Sequence, residues 1–317
     1  MIVCSGSLPE FSLERNQSFI FDQVKEINAL NRDVSFSFFF IRGKGAFGYL
    51  KNLKNLKKQI DIEKPDLIHA HYGFSGLLAN LQRKVNVITT FHGTDINVTK
   101  YRIISRICHF LGSFSIFVSN DLLIKLNPHK NFAVIPCGVD FNIFRPIEMY
   151  LARQALGLTA RRGYILFSSF FNNAIKNYPL AQKAKDLLDD ENIEIIEFKG
   201  YSRQESSLLF NAVDVALVTS FSEGSPQFIK EAMACNCPIV TTNVGDVKDV
   251  INNTEGCFIS SFDPADVAES ISLAIEFSLL YGRTNGREKI MEYDNKIIAG
   301  EIYDIYKKVV ENGNSNS

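Results

Sequence analysis

Two carboxylates, Glu223 and Glu231, lie eight residues apart, and the segment between them has the pattern of a helix start. Just upstream, residues 214–219 form a short, mostly apolar run that is typical of a buried strand. Ser225 is a suitable N-cap, and Pro226 suits the first position of a helix. The amides of the first helical turn would then bind a phosphate or a ring of hydroxyl groups, with one carboxylate on each side.

The segment EGSPQFIKEAMA, which begins at Glu223 and is followed by PIVTTNVGD, resembles the E-x7-E motif of retaining GT-B glycosyltransferases of family 4. The resemblance implies that Glu231 binds the ribose of a nucleotide diphosphate sugar and that Glu223 contacts the sugar being transferred. The donor-binding residues around the helix start are expected to be Gly224, Ser225, Pro226, Gln227 and Phe228. On spacing alone, the two glutamates would be one surface residue and one helix residue with no shared task.

The composition of the chain is that of a globular protein: 317 residues, 46% hydrophobic and 22% charged. Its length suits two domains of ordinary size. The net charge of −1 excludes a bulk electrostatic attraction to nucleic acid, so no nucleic-acid partner is expected. No apolar run reaches the length of a membrane span, and six cysteines without a signal peptide indicate reduced thiols in the cytoplasm.

Strand-like and helix-like segments alternate from end to end, which predicts mostly parallel sheets with helices on both faces. The predicted strands of the first half cover residues 2–4, 34–41, 66–71, 86–91, 115–119 and 132–135, with helices over 18–30 and 49–60. The predicted strands of the second half cover 164–167, 193–198, 214–219 and 238–242, with helices over 179–188, 227–235, 263–280 and 296–310. The polar tail from Glu311 to Ser317 is expected to be disordered.

A segment that contains Pro and Gly, from Ile135 to Pro146, interrupts this alternation and resembles the phrase that ends the first domain in the same family. We therefore expect an α/β GT-B fold, with two Rossmann-like doubly wound domains facing across a cleft. An acceptor-side domain would cover residues 1–145, with a C-terminal helix over 296–312 packing back on it. The donor-binding domain would cover residues 146–295.

Candidate donor contacts in the first domain follow its first strand. Gly6 allows a phosphate to approach the backbone closely, although a plain turn explains Gly6 and Ser7 equally well. The resemblance implies that this turn lies against the donor diphosphate. It also implies that His92, in the phrase FHGTD, lies beside the reacting carbon of the donor sugar.

His71 and Tyr72 close another strand, in the phrase HAHYG, and are predicted to face the acceptor. Because alternate residues of a strand share a face, His69 and His71 could form a three-histidine zinc site together with His92. A structural role is the alternative for these side chains. The family uses no metal, so the expected cofactors are none, with the nucleotide diphosphate sugar as co-substrate.

The strand that ends near Phe167 leads into the predicted phosphate-facing loop of the second domain, which includes Ser169 and Lys176. The family has an arginine shortly after this strand and a lysine a few residues later. Lys176 matches the lysine, but Phe170 stands where the arginine is expected. Two cations neutralise a diphosphate better than one, so this departure predicts a weaker donor site unless helix dipoles suffice or the alignment slips.

Lysines 51, 54, 57 and 58 alternate with apolar residues in the predicted helix 49–60. Such a basic amphipathic helix is either a solvated face docked on a sheet or a contact with anionic lipid. In the second case the protein would lie at the inner face of the plasma membrane and receive a lipid-linked or glycan acceptor.

The sequence thus predicts a retaining hexosyltransferase that moves a sugar from a nucleotide diphosphate sugar to an acceptor hydroxyl, in the synthesis of a bacterial surface polysaccharide or glycolipid. His92, Lys176 and Glu223 are its expected catalytic residues. The alternatives are a sugar-nucleotide epimerase or hydrolase of the same fold, and an inactive donor-binding scaffold subunit, which Phe170 favours.

Overall fold

The computed structural model describes residues 1–6, 11–30 and 33–314 of the chain. The chain divides into two compact units. The first unit comprises residues 1–138 together with 295–317, and the second comprises residues 139–294. Segment 139–145 therefore packs with the second unit, which begins immediately after Gly138.

The first unit is built on a six-stranded parallel sheet, whose strand order is β2-β1-β3-β4-β5-β6. Its elements before the chain enters the second unit are β1 (Ile2–Ser5), α1 (Leu13–Asn16), α2 (Ser18–Leu30), β2 (Phe38–Ile41), α3 (Gly45–Leu50), α4 (Leu53–Glu63), β3 (Ile68–His71), α5 (Gly73–Asn80), β4 (Val87–Phe91), α6 (Thr94–Asn97), α7 (Thr99–Leu111), β5 (Phe114–Phe117), α8 (Asn120–Leu126) and β6 (Phe132–Val134).

The second unit is built on a five-stranded parallel sheet, whose strand order is β11-β10-β9-β7-β8. Its elements are α9 (Met149–Leu156), β7 (Gly163–Phe167), α10 (Tyr178–Leu187), β8 (Ile193–Glu197), α11 (Arg203–Ala212), β9 (Val215–Val218), α12 (Gln227–Ala234), β10 (Ile239–Thr242), α13 (Val247–Ile251), β11 (Cys257–Ser260), α14 (Pro264–Tyr281) and α15 (Gly286–Lys289). The chain then returns to the first unit as α16 (Asn295–Asn314), which packs against α2.

Each sheet is doubly wound, which confirms the predicted fold class. In the first unit the chain runs from β1 to β2 and then crosses to β3 on the other side of β1. In the second unit it runs from β7 to β8 and then crosses to β9 on the other side of β7. Ligands of such sheets bind beyond the carboxyl ends of the strands at these reversal points. The loops after β1 and β3, and those after β7 and β9, are therefore the expected functional loops.

The hydrophobic cores explain why the strands read as continuous apolar runs. In the second unit, β7 and β9 are almost completely buried, because helices cover both faces of the sheet. In the first unit, Ile298 and Ile302 of α16 pack in one cluster with Ile27 of α2 and Ile88 of β4. The C-terminal helix is thus part of the first unit's core.

Three predictions of local structure were wrong. The helix predicted over residues 49–60 is two helices, because the buried Asn52 side chain donates hydrogen bonds to the carbonyl oxygens of Arg42 and Gly48 and breaks the helix after Leu50. The strand predicted from residue 34 begins at Phe38. The tail predicted to be disordered from Glu311 continues α16 as far as residue 314, and residues 315–317 lie outside the described residues.

Candidate functional site

The reversal point of the second unit brings together two residues that the sequence singled out. Lys176 ends a short 3₁₀ turn in the loop after β7, and Glu223 lies in the loop after β9. Lys176 Nζ lies 2.6 Å from Glu223 Oε1, and both side chains are mostly buried. The Thr219 hydroxyl donates to the Lys176 carbonyl oxygen at 2.9 Å, which ties the two loops together. A cation and a carboxylate are thus held side by side at the strand ends.

Ser169 and Phe170 lie in the same loop as Lys176, after β7. Ser169 is buried, and its hydroxyl accepts a hydrogen bond from the Asn173 side chain at 3.3 Å. Phe170 is 41% exposed, so the position of the expected arginine carries a partly exposed ring. The side-chain oxygens of Ser168 and Ser220 are buried and have no hydrogen-bond partner among the described residues. Hydroxyls of this kind fit an ordered water or a polar ligand at the strand ends.

The helix start between the two glutamates differs by one residue from the prediction. Pro226 is the N-cap of α12, and its side chain makes no capping hydrogen bond. Ser225, which was predicted to be the N-cap, donates its hydroxyl to Asp246 Oδ2 at 2.5 Å instead. In the same first turn, the Ile229 amide donates to the Pro226 carbonyl oxygen at 3.2 Å, so it is not available to a ligand. Gln227 and Phe228 are the first two residues of α12, so their amides lie in its first turn.

The side chains of α12 divide between the site and the core. Glu231 is half-buried on the second turn, and Gln227 is half-buried at the start. The Phe228 ring lies in an aromatic cluster, 4.9 Å from Phe210 and 5.4 Å from Phe198 between ring centroids. Phe228 can therefore offer a ligand only its backbone amide. Gly224 is buried at the contact with the loop after β10.

In the first unit, the histidines of the strand ends form a stack. The ring centroids of His69 and His71 are 4.4 Å apart, and those of His71 and His92 are 5.3 Å apart. His71 Nδ1 and His92 Nε2 share a hydrogen bond of 3.1 Å. His71 is fully buried, which lowers its pKa to about 3, so it is neutral at pH 7. Tyr72, the other predicted acceptor-side residue, is partly exposed, and its ring is tilted against that of His92 with the centroids 4.6 Å apart.

Asp95, the last residue of the phrase FHGTD, has a structural role that the sequence did not indicate. Its buried carboxylate accepts hydrogen bonds from the backbone amides of His92, Gly93 and Gly73. Burial raises its pKa to about 6, against the effect of these hydrogen bonds. Asp95 thus joins the loop after β3 to the loop after β4 and orients His92. Its position three residues after the histidine was the available signal.

The loop after β1 contains the last predicted donor contacts. Gly6 is buried, and its amide donates to the Ile41 carbonyl oxygen at 2.9 Å. A Cβ atom here would lie 2.7 Å from Phe40 Cβ, so packing alone already requires glycine. Ser7 lies outside the described residues.

A metal site and a membrane span were both considered from the sequence. Among the described residues, no group of three His, Cys, Asp or Glu side chains could hold a metal ion. In the same part of the chain, no helix is both long and apolar enough to cross a membrane.

Comparison with known proteins shows what this chain is similar to. A teichuronic acid biosynthesis glycosyltransferase of Bacillus subtilis is 25% identical, over 68% of this chain and 62% of its own length. The UDP-Gal:alpha-D-GlcNAc-diphosphoundecaprenol alpha-1,3-galactosyltransferase of Escherichia coli is 24% identical, over 96% of this chain and 93% of its own length. The solved structure of Anabaena Alr3699/HepE in complex with UDP has a TM-score of 0.74 at 15% identity and covers 97% of this chain and 99% of its own, which supports the GT-B fold.

Two family models match the chain, one in each half. Residues 4–142 match Glycosyltransferase Family 4, and residues 176–276 match Glycosyl transferases group 1. The second match begins at Lys176 and includes both Glu223 and Glu231. The family predicted from the E-x7-E segment is confirmed: the chain belongs to the group 1, family 4 glycosyltransferases.

Proposed function

We propose that this glycosyltransferase moves a hexose from a nucleotide diphosphate sugar to the hydroxyl group of a lipid-linked or glycan acceptor, with retention of the anomeric configuration. The observation that carries the proposal is the Lys176–Glu223 pair of 2.6 Å beside the start of α12. A cation and helix amides suit a diphosphate, and a carboxylate suits sugar hydroxyls. The Anabaena structure contains UDP, which makes uridine diphosphate sugars the first donors to test.

The proposed reaction is a front-face displacement. The bond between the sugar C1 and the β-phosphate oxygen breaks, the acceptor oxygen bonds to C1 on the same face, and the acceptor proton passes to the leaving phosphate oxygen. This route needs no protein base, but it needs a stabilised leaving group. Lys176 and the first-turn amides of α12, with the Gly6 loop, would stabilise the diphosphate. Glu223 would bind the sugar hydroxyls, Glu231 the ribose, and His92 the region of the reacting carbon.

A product assay tests this proposal. The purified chain is incubated with UDP-, GDP- and ADP-hexoses, with and without an undecaprenyl-diphosphate-linked sugar, in the presence and absence of EDTA. We expect transfer only with acceptor, a product whose anomeric configuration equals that of the donor, and the same rate in EDTA. Free sugar with and without the acceptor would identify a hydrolase, and a product of inverted configuration would exclude the retaining mechanism. A loss of transfer activity in EDTA that added zinc restores would support the histidine metal site.

The acceptor half of the proposal also has structural support, in the outer helices of the first unit. Helix α4 connects β2 to β3, α5 connects β3 to β4, and α7 connects β4 to β5. All three connections cross the sheet in the same direction, so right-handed crossovers place the three helices on one face of the sheet. Rings of Tyr49, Phe74 and Tyr101 contact each other in series and join α3, α5 and α7. The outer surfaces of α3 and α7 are therefore both adjacent to α5.

These outer surfaces are apolar and cationic together. Phe110 and Ile103 on the outward face of α7 are 79% and 59% exposed, and Phe47 on α3 is 74% exposed. Between residues 44 and 60 there are five lysines and no acid, and residues 96–120 include Lys100, Arg102 and Arg106 and again no acid. Exposed large apolar side chains on stretches of sequence that carry positive and no negative charge suit the surface of an anionic lipid bilayer. We include peripheral membrane contact through α3, α4 and α7 in the proposal.

Vesicle sedimentation tests the lipid contact. We expect the chain to bind phosphatidylglycerol vesicles and not phosphatidylcholine vesicles, and the Phe110→Ser, Ile103→Ser double variant to bind about tenfold more weakly. Leu279→Ser, which changes a 78% exposed leucine of the second unit, is the matched control. If the double variant binds as well as Leu279→Ser, or if the unchanged chain does not bind phosphatidylglycerol vesicles, the proposed membrane contact is contradicted. A protein partner would then be the alternative occupant of this surface.

A further inference from the structure

His71 has one ring nitrogen without a hydrogen-bond partner. The side chain is fully buried at the end of β3, and its Nε2 atom is sealed from solvent and has no hydrogen-bond partner among the described residues. Its other nitrogen, Nδ1, lies 3.1 Å from His92 Nε2. Because buried polar atoms are nearly always paired in folded proteins, the unpaired nitrogen calls for a physical explanation.

The unpaired nitrogen decides which tautomer of His71 is stable. A neutral imidazole carries its proton on one nitrogen, which donates, and has a lone pair on the other, which accepts. In either tautomer Nδ1 can bond to His92. A proton on Nε2, however, would bury an N–H donor without an acceptor, and such groups are rarer in folded proteins than acceptors without a donor. His71 therefore carries its proton on Nδ1 and donates it to His92 Nε2.

This assignment fixes the proton of His92 in turn. Because His92 Nε2 accepts from His71, the neutral imidazole of His92 carries its proton on Nδ1. That N–H lies on the side of Cys137, whose Sγ is 3.8 Å from His92 Nδ1. A thiol sulfur is a weak acceptor, so an oxygen acceptor of a ligand would form a stronger hydrogen bond with this N–H.

Neighbouring rings hold the imidazole of His92 in place. The ring centroids of Phe19 and Tyr72 lie 4.7 and 4.6 Å from that of His92. Tyr72 itself has a φ of +72° and a ψ of +148°, close to a backbone region that is essentially restricted to glycine. Strained residues of this kind concentrate at functional sites. The strain at Tyr72 is therefore a separate indication that the ring of His92 is held for a ligand.

We propose that His71 is a positioning residue that fixes the tautomer of His92, so that His92 offers the substrate an N–H donor and not a basic nitrogen. The substrate atom that it meets is an oxygen acceptor, either a hydroxyl of the transferred sugar or an oxygen of the diphosphate. This agrees with the proposed reaction, in which no protein group removes a proton. The inference rests on the proposed function in one respect, namely that the ligand is a nucleotide diphosphate sugar.

NMR of the whole chain, labelled with nitrogen-15 in its five histidines, tests the assignment directly. Two-bond proton–nitrogen correlations distinguish a protonated ring nitrogen from a bare one, and the spectra of His71→Asn and His92→Gln identify the signals of the two residues. At pH 7 we expect a protonated Nδ1 and a bare Nε2 in both rings. A proton on Nε2 of either ring, or on both nitrogens of His92, would overturn the proposal.

Variants test whether His71 is the residue that fixes this tautomer. Asparagine can place its amide nitrogen where His71 has Nδ1, so His71→Asn should keep the proton of His92 on Nδ1. Leucine cannot donate, so in His71→Leu this proton should divide between the two nitrogens, and kcat should be about tenfold lower than in His71→Asn, with KM changed less. Cys137→Ala should leave the tautomer as it is, because the sulfur does not set it. His129→Asn, which changes an exposed histidine, is the control.

The melting temperature of each variant is recorded, and His71→Gln, whose amide group lies at the position of Nε2, replaces the leucine variant if that variant does not fold. An unchanged His92 tautomer in His71→Leu or His71→Gln would overturn the positioning role. A changed tautomer in Cys137→Ala would assign that role to the sulfur and would overturn it equally.

Ligand addition then identifies the oxygen that His92 meets. The probes are the nucleoside diphosphate, among UDP, GDP, ADP and dTDP, that raises the melting temperature most, and its glucose conjugate. If the acceptor is a phosphate oxygen, both probes should shift the His92 Nδ1–H signal; if it is a sugar hydroxyl, only the conjugate should.

The two ways of failing are distinct. If calorimetry shows that both probes bind and neither moves the His92 signal, the role of His92 as a donor to the substrate is overturned. If neither probe binds, the proposed function fails, and the tautomer measurements alone decide whether His71 positions His92.

Discussion

Lys176 Nζ and Glu223 Oε1, 2.6 Å apart, join the loops that follow the two neighbouring strands β7 and β9. Their side chains are 22% and 14% exposed, so the pair is held in a largely dry environment where its electrostatic attraction is strong. The proposed reaction gives these residues different parts of one donor, the diphosphate and the sugar. Each residue therefore also sets the position of the other.

Replacing either member of this pair is the first test. We expect Lys176→Met and Glu223→Gln each to lower kcat/KM by about 10²- to 10³-fold, because a developing charge or a sugar contact loses its partner. The double variant should lose less than the product of the two effects, since the residues act as a unit. Steady-state kinetics measures this, with the exposed Lys199→Met as the control. Independent, multiplying losses would contradict the coupling.

Glu231 tests the ribose contact. Glu231 is half-buried on the second turn of α12, one turn after the helix start. We expect Glu231→Ala to weaken nucleoside diphosphate binding by about 10- to 100-fold in calorimetry, because the ribose hydroxyls lose a charged acceptor. Glu269→Ala, an exposed glutamate on α14, should bind normally. Unchanged affinity of Glu231→Ala would refute the ribose role.

His92 tests the first unit's contribution to turnover. Its ring packs at a tilt against those of Phe19 and Tyr72, but it is only half-buried, so its loss should not unfold the chain. We expect His92→Ala to lower kcat by about 10²-fold with an unchanged circular dichroism spectrum. His129→Ala, an exposed histidine, should retain full activity. Full activity in His92→Ala would remove this residue from the reaction.

Phe170 tests the missing second cation. The side chain is 41% exposed in the loop that also carries Lys176, so a longer polar side chain can be accommodated. We expect Phe170→Arg to tighten nucleoside diphosphate binding by about 3- to 10-fold through an added charge-assisted hydrogen bond. Phe170→Leu controls for loss of the ring. If Phe170→Arg binds no better than Phe170→Leu, this position does not replace the family's arginine.

The buried histidines predict a pH dependence of stability. Burial lowers the pKa of His71 from 6.5 to about 3 and places that of His69 well below its usual value. Below pH 6.5 the unfolded chain binds more protons than the folded chain at these sites, so stability falls as the pH falls from 6.5 towards 3. Each histidine contributes a slope of up to about 1.4 kcal/mol per pH unit. Asp95, whose pKa is raised to about 6, opposes this trend below pH 6.

Urea unfolding of His71→Asn isolates one of these contributions. Asparagine keeps a polar atom near the position of Nδ1 but does not titrate. Between pH 6.5 and 5 the free energy of unfolding should fall less steeply in the variant than in the unchanged protein, by up to about one proton's slope. Equal slopes would show that His71 is not held neutral in the folded state.

Much of the local structure was readable from the sequence. The helix at Ser18–Leu30 was predicted with its observed bounds, and Asp263 caps α14 as expected, accepting from the Ala265 amide at 2.9 Å. These predictions succeeded because apolar spacing and cap residues act between neighbours in the chain. The helix break at Asn52 was missed, because the hydrogen bonds that cause it reach back to Arg42 across a turn.

The pattern of residue types was enough to determine that this chain forms two doubly wound parallel sheets and contains the E-x7-E segment of its family. Those properties depend on short-range periodicity and on motif spacing. Only the tertiary structure showed that the Ser225 hydroxyl donates a hydrogen bond to Asp246, that Lys230 is buried, and that Lys176 forms an ion pair with Glu223. Ser225 and Asp246 are 21 residues apart along the chain, Lys176 and Glu223 are 47 residues apart, and Lys230 is buried by side chains from other elements, so spacing could not reveal these features.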